Sequence, residues 1–169
     1  MKTFDKVLFA AMTIVFVLAF VAVANKALAS DENGDRFCLA QNIYFEAANQ
    51  PLVGKIAVAQ VVLNRSEDRQ FPNNICGVVY QAKVEENWRG NLIPILHKCQ
   101  FSWYCDGKSD EPTDSKTWLE AILIADRILE NYYPDITEGA LWYHADTVRP
   151  YWSEHLNRTV TIDNHLFYN

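Results

Sequence analysis

The chain has no C-x-x-C pair, no H-x-x-x-H or H-E-x-x-H arrangement, and no cluster of basic residues. The first two absences argue against a zinc site, because zinc needs its ligands at short, recognisable spacings. The four histidines, His97, His144, His155 and His165, are spread at spacings that match no familiar metal centre. No metal and no cofactor are expected. The third absence argues against nucleic acid, whose phosphates are held by clustered Lys and Arg. Fifteen basic side chains stand against 21 acidic ones, a formal charge of −6. There is no internal repeat and no low-complexity stretch, so a solenoid and a disordered chain are set aside as well. With 169 residues there is room for one domain and not for two well-packed cores.

What is present begins with an N-terminal segment of its own kind. Lys2 and Lys6 precede an uncharged run from Val7 to Ala24, and Ala27-Leu28-Ala29 ends in small-x-small order. This pattern reads as a secretory signal peptide, residues 1–29, cleaved after Ala29. The alternative is a retained membrane anchor, since residues 7–24 reach the lower limit of a helical span. Either way the rest of the chain is exported to the periplasm or cell wall. Without residues 1–29 the chain holds 12 basic and 20 acidic side chains, a formal charge of −8.

All four cysteines, Cys38, Cys76, Cys99 and Cys105, follow that segment. An even number in an exported chain points to two disulfides. Cys99 and Cys105 are close enough to close a small loop, which leaves Cys38 with Cys76. Two other connectivities, and a site holding zinc by all four thiolates, remain formal rivals at this stage.

Residues 30–36 are polar and read as a linker, and residues 37–169 as the domain. Leu39, Ile43, Glu46 and Ala47 share one helical face. Pro51 suits the first turn of a second helix, with Val53, Ile56, Ala57, Gln60, Val61 and Asn64 as its inner face. Phe71-Pro72-Asn73-Asn74 is turn chemistry. Residues 83–114 read as a long functional loop with one short strand. Thr117 and Glu120 suggest a capping box for a helix packed through Leu119, Ile122, Leu123, Ile128 and Leu129, ending at Tyr133-Pro134. Strands are expected over residues 140–144, 159–163 and 165–167. Helices first and short strands last make an α+β domain.

Glu46 is the anomaly. It lies on the apolar stripe of its helix, and the nearest cations in sequence, Arg36 and Lys55, are more than a turn away. A carboxyl that loses hydration without a paired cation has a raised pKa and keeps its proton near neutrality. That is the condition for a general acid at a glycosidic oxygen. A solvated surface glutamate is the plainer reading of the same spacing.

The chain from residue 37 on resembles the SleB-type cell wall hydrolase family, which includes the spore-cortex-lytic enzymes. The matching stretches are Leu39 to Ala47, Gly54 to Arg65, Phe71 to Gln81, Cys99 to Trp103 and Gly139 to Ala145, in the same order. His165-Leu166-Phe167-Tyr168 also fits. The resemblance implies a lysozyme-like α+β fold, peptidoglycan glycan strands as partner, and lytic transglycosylase chemistry; a monomer is expected. It places the catalytic acid at Glu46. Ala48, Asn49 and Gln50 stand where the family's motif has Arg, Gly and a second Glu, so any role of that second carboxylate is missing here. The alternatives are a hydrolytic muramidase, a non-catalytic peptidoglycan-binding protein and, less readily, a zinc amidase acting on the peptide stem.

Further substrate-binding candidates come with plainer readings beside them. Trp103 can stack on a sugar while Gln100 and Ser102 hydrogen-bond it, or Trp103 can be core. Tyr143 and His144 end a strand that can reach the cleft, where Tyr143 can orient Glu46, or Tyr143 can be buried with its hydroxyl satisfied. Asn64 is a ligand or a polar cap.

Overall fold

The structure, a computed structural model, describes residues 34–169. The expected leader, its anchor alternative over residues 7–24 and residues 30–33 lie outside the described residues. Among the described residues no helix is long and apolar enough to cross a membrane.

Helix α1 is described over residues 34–47, so residues 34–36, expected as linker, are already helical. Leu39, Ala40, Ile43 and Ala47 are buried on it. Helix α2 (Leu52–Glu67) follows Pro51, which caps it in extended conformation. Every residue of α2 from Gly54 to Val62 is buried, mostly apolar or small as a helix buried on all sides requires. Its two polar members are paired, Lys55 with Glu120 and Gln60 with the backbone of Pro134 and Ile136. Ile56, Ala59 and Val62 pack into a cluster with α1 and the later helices. Ala57 and Val61 pack against Ala140, Ile162 and Phe167 of the C-terminal region. Helix α2 is therefore the shared wall between the two halves of the core. Val53, expected on the inner face, is 45% exposed beside Leu52 at 50%, and burial of α2 begins only at Gly54.

Helix α3 (Ile75–Val79) starts at Asn74, whose side chain accepts from Gly77 N–H at 2.7 Å. A Cβ on Gly77 would come within 2.8 Å of Pro72 Cβ, so this turn admits only glycine without rearrangement. Residues expected as a long loop with one strand form a two-stranded hairpin instead, β1 (Ala82–Glu86) paired antiparallel with β2 (Leu92–Cys99). Asn87 makes the turn, its Oδ1 accepting from the N–H groups of Arg89 and Asn91. A 3₁₀ turn (Ser102–Cys105) follows.

Helix α4 (Ser115–Leu129) is capped by Asp114, which accepts from Thr117 N–H at 2.7 Å. Thr117 is thus the third helical residue and not the cap. Its buried residues are Ala121, Ile124, Ala125 and Ile128. Leu119 and Leu123, expected inside, are 59% and 57% exposed. Two alanines let α4 approach closely, and that rotates the packed stripe away from the bulkier leucines. Arg36 pairs with Asp126, and Lys55 Nζ donates to Glu120 Oε2 at 2.8 Å, tying α1 and α2 to α4.

The C-terminal residues form an antiparallel sheet ordered β3 (Trp142–Ala145), β5 (His165–Tyr168), β4 (Arg158–Ile162), with a 3₁₀ turn (Tyr151–Glu154) between β3 and β4. Tyr143 lies opposite Phe167, and Ala145 opposite His165. The fold is α+β, helices first and short antiparallel strands last. Both disulfides join the expected partners: Cys38 with Cys76 fastens α1 to α3, and Cys99 with Cys105 closes the loop after β2.

Candidate active site

Glu46 sits in the last turn of α1, half-buried, on a cleft of about 410 Å³. Four segments far apart in sequence supply the other walls: Arg65 from α2, Gln100 and Ser102 from the loop after β2, Tyr143 from β3 and His165 from β5. Among the described residues Glu46 is the only carboxylate lining this cleft.

Burial raises the Glu46 pKa, and it outweighs two opposing influences, a hydrogen bond from Tyr143 and the charge of Arg65. Tyr143 Oη donates to Glu46 Oε2 at 3.2 Å. The position of Glu46 at a helix C-terminus works in the same direction as burial, since the negative end of the helix dipole disfavours an anion there. The result is a carboxyl that keeps its proton to higher pH than a free glutamate, yet has a donor and a cation in place once the proton leaves.

Arg65 is only 3% exposed. Burial pulls its pKa down to about 10, against the attraction of Tyr143 and Glu46, so it remains a cation at neutral pH. Its Nε donates to Leu141 O at 2.7 Å, and its guanidinium lies between the rings of Phe71 and Phe101, 5.2 and 5.3 Å from their centroids. With its amide oxygen turned toward the guanidinium, Gln100 accepts from both Arg65 Nη atoms at 3.2 Å. Burial raises the Tyr143 pKa well above its ordinary value, with Glu46 adding to the rise, so the phenol stays a donor.

Of the residues singled out from sequence, the structure gathers Glu46, Gln100, Ser102, Tyr143 and His144 around this cleft. His144 is also committed within its sheet. Its Nδ1–H donates to Ala145 O at 2.8 Å, since a carbonyl can only accept, and its Nε2 then accepts from Tyr168 Oη at 2.9 Å. Trp103 is placed in the core instead. It is 7% exposed, stacked on Phe45 at 4.8 Å, with Nε1–H donating to Asn42 Oδ1. The 3₁₀ turn points its neighbour Ser102 outward and Trp103 inward, which rules out sugar stacking on that ring. Asn64 lies off the cleft, its amide donating to Asp135, Thr137 and Ala140 O at 3.1–3.2 Å. It is a structural bracket.

Arg36 and Lys55, the cations nearest Glu46 in sequence, are both engaged with α4. The cation that does act on Glu46 is Arg65, and the sequence signal for it was the polar end of an apolar helix. Ala48, Asn49 and Gln50 do not line the cleft. Gln50 packs against Gly54, so the residue that replaces the family's second Glu is turned toward α2. Among the described residues no group of three or more His, Cys, Asp or Glu side chains is placed to hold a metal ion.

The chain is 40% identical over 147 residues to the spore cortex-lytic enzyme of Bacillus subtilis, covering 86% of this chain and 41% of that protein. It is 28% identical over 130 residues to the spore cortex-lytic enzyme of Bacillus cereus, covering 76% and 42%. The chain thus spans less than half the length of these relatives. Among solved structures, the catalytic domain of the Bacillus cereus SleB protein matches with a TM-score of 0.56 at 28% identity, over 81% of this chain and 91% of that one. The catalytic domain of the germination-specific lytic transglycosylase SleB from Bacillus anthracis matches with a TM-score of 0.58 at 28% identity, over 80% and 94%. The Cell Wall Hydrolase family matches residues 49–168. That match takes in α2 to α4 and the C-terminal sheet, begins after Glu46, and covers most of the chain, so the chain belongs to the Cell Wall Hydrolase family.

Proposed function

We propose that this protein cleaves the glycan strands of peptidoglycan as a lytic transglycosylase, with Glu46 as its one catalytic acid and base. The observation that carries this reading is a half-buried carboxyl, its pKa raised by burial, that is the one carboxylate among the described residues lining its cleft. Asp146 and Glu154 lie in the neighbouring hollow beyond His144 and Val148. Glycosidases that add water use two, about 5–5.5 Å apart when retaining and about 6.5–9.5 Å apart when inverting. A transglycosylase needs only one. Glu46 gives its proton to the oxygen between N-acetylmuramic acid and N-acetylglucosamine, and the C1–O bond breaks with the electron pair leaving on that oxygen. The resulting carboxylate takes the proton of the muramic 6-hydroxyl, and O6 closes on C1 to form the 1,6-anhydro ring. Protons and bonds balance without water.

Tyr143 and Arg65 serve the interval between the two transfers. The Tyr143 hydroxyl and the guanidinium charge both favour the anion that Glu46 becomes. Residues 1–29 support action outside the cytoplasmic membrane, whether they are cleaved or retained as an anchor. Ser102, on the open side of the cleft, and Gln100, fixed by Arg65, are in place to meet sugar hydroxyl or acetamido groups. The test is mass spectrometry of fragments released from purified sacculi. Anhydro-ended fragments, lighter than hydrolytic ones by one water, support the transglycosylase; reducing ends would make the protein a muramidase. Equal dye release from labelled sacculi by wild type and Glu46→Gln would remove Glu46 from its role, and no release by wild type would leave a binding protein.

A further inference from the structure

His165 lines the cleft beside Tyr143 and takes no part in the proton transfers just described. The residue is 8% exposed, and its ring meets the Tyr143 ring edge to face, with centroids 5.5 Å apart. Nδ1 is buried with no hydrogen-bond partner. A nitrogen sealed from solvent cannot meet a ligand, so of the two ring nitrogens only Nε2 is left to meet one in the cleft that His165 lines.

The tautomer follows from the same observation. A neutral imidazole carries one N–H and one lone pair. An N–H orphaned in the interior is rarer and more costly than an under-satisfied acceptor. The lone pair therefore belongs on buried Nδ1 and the proton on Nε2. Protonating both nitrogens would bury an unpaired charged donor, and burial does lower the His165 pKa, with His144 adding to the fall and Asp163 and Asp146 opposing it. The ring is a fixed, neutral, one-directional donor on the cleft wall.

A group that only donates is best matched by an atom that only accepts. Sugar hydroxyls do both, so they would suit either tautomer. The acetamido carbonyl of an N-acetylated sugar is a strong, neutral acceptor. Resting on the reading of the cleft as a glycan site, we propose that His165 Nε2–H binds the acetamido carbonyl of the sugar seated against Glu46, which makes His165 a specificity-determining residue for N-acetylated strands.

The test uses the full chain carrying Glu46→Gln, labelled with ¹⁵N-histidine and titrated with a peptidoglycan tetrasaccharide in N-acetylated and de-N-acetylated forms. Before ligand is added, His165 should show its proton on Nε2. The acetylated ligand should shift the Nε2 signal and bind about three- to tenfold more tightly than the deacetylated one, as one neutral hydrogen bond allows. His165→Phe in the same background should bind both forms alike. A proton on Nδ1, no response of His165 to acetylated ligand, or an unchanged preference in His165→Phe overturns the proposal. The first two readouts need no change at position 165, so they decide even where that variant folds poorly. Failure of the reaction is separable: wild type that releases no dye from sacculi, with the His165 shift and the preference intact, rejects the chemistry and keeps the subsite.

Discussion

Two carboxylates stand near the C-terminal end of α2, and their proton affinities move in opposite directions. Glu46 faces Arg65 across the cleft, and Asp135 accepts from Asn64, the residue just before Arg65. Around Asp135 the Thr137 N–H and hydroxyl donate at 2.8 and 2.6 Å and Gly139 N–H at 2.7 Å. Burial works to raise the Asp135 pKa, but the hydrogen bonds from Thr137, Gly139 and Asn64 together outweigh it and hold it below its ordinary value. Glu46 has one donor, at 3.2 Å, and for it burial wins. The number of donors decides between them, more than the nearness of a cation. One carboxylate is built to stay ionised and hold a turn, the other to keep a proton that it can give away.

Removing the proton carrier should have the largest effect on this contrast. Glu46→Gln keeps the volume and can still accept from Tyr143, but it cannot transfer a proton. Release of dye from labelled sacculi should fall on the order of 10²–10⁴-fold. Removing the single donor to Glu46 comes next. Tyr143→Phe takes away a bond that favours the anion, so the Glu46 pKa rises further. The alkaline limb of the pH–rate profile should move to higher pH, and the rate at its optimum should drop roughly ten- to a hundredfold, as expected for a hydrogen bond to a charged group. A limb that stays in place would mean that Tyr143 does not act on Glu46.

On the other side of the comparison, Asp135→Ala should cost stability and spare activity. Loss of the acceptor for Thr137 and Gly139 should lower the unfolding free energy by about 1–2 kcal/mol in urea titration. The folded-state pKa of Asp135 is depressed, so its contribution is complete above the ordinary carboxylate range and fades as pH falls through the folded value. The deficit of the variant should therefore shrink in acid. The smallest effect is on the stability of Glu46→Gln itself. The Glu46 pKa is raised even with the attraction of Arg65 included, so the folded state disfavours its charge. The variant should melt higher than wild type at pH 7, by calorimetry, and the gain should shrink toward zero as pH falls below the ordinary glutamate range, where position 46 loses its charge in the unfolded chain as well. Equal melting at pH 7 would mean that the carboxylate is not under-solvated.

Glu46 drew notice because an acid on an apolar stripe contradicts the pattern around it, but that spacing fits a solvated surface glutamate better, and its role came from the family resemblance. The disulfide partners were legible because loop closure favours the short pair and leaves one other. The order of helices and strands was written in the period of the apolar residues. Trp103 and Ser102, adjacent in one motif, were not separable, since a 3₁₀ turn sends one to the core and the other to the cleft. The packed face of α4 was misjudged because bulk suggested Leu119 and Leu123, whereas close approach favoured Ala121 and Ala125. The hairpin over residues 82–99 was hidden by its exposure, as apolar and charged residues mix on both of its faces.

By itself the amino-acid order determined an α+β domain crosslinked at two places, with one acid set among apolar neighbours. Those properties are local, resting on side-chain period, turn chemistry and loop length. Only the tertiary structure decided that Arg65, Tyr143 and His165 would be the neighbours of that acid, and that Asn64 and Asp135 would form a bracket apart from it. Charge, donors and burial act over a few ångströms through space, and the residues that share those few ångströms come from helices and strands up to 119 positions apart in the chain.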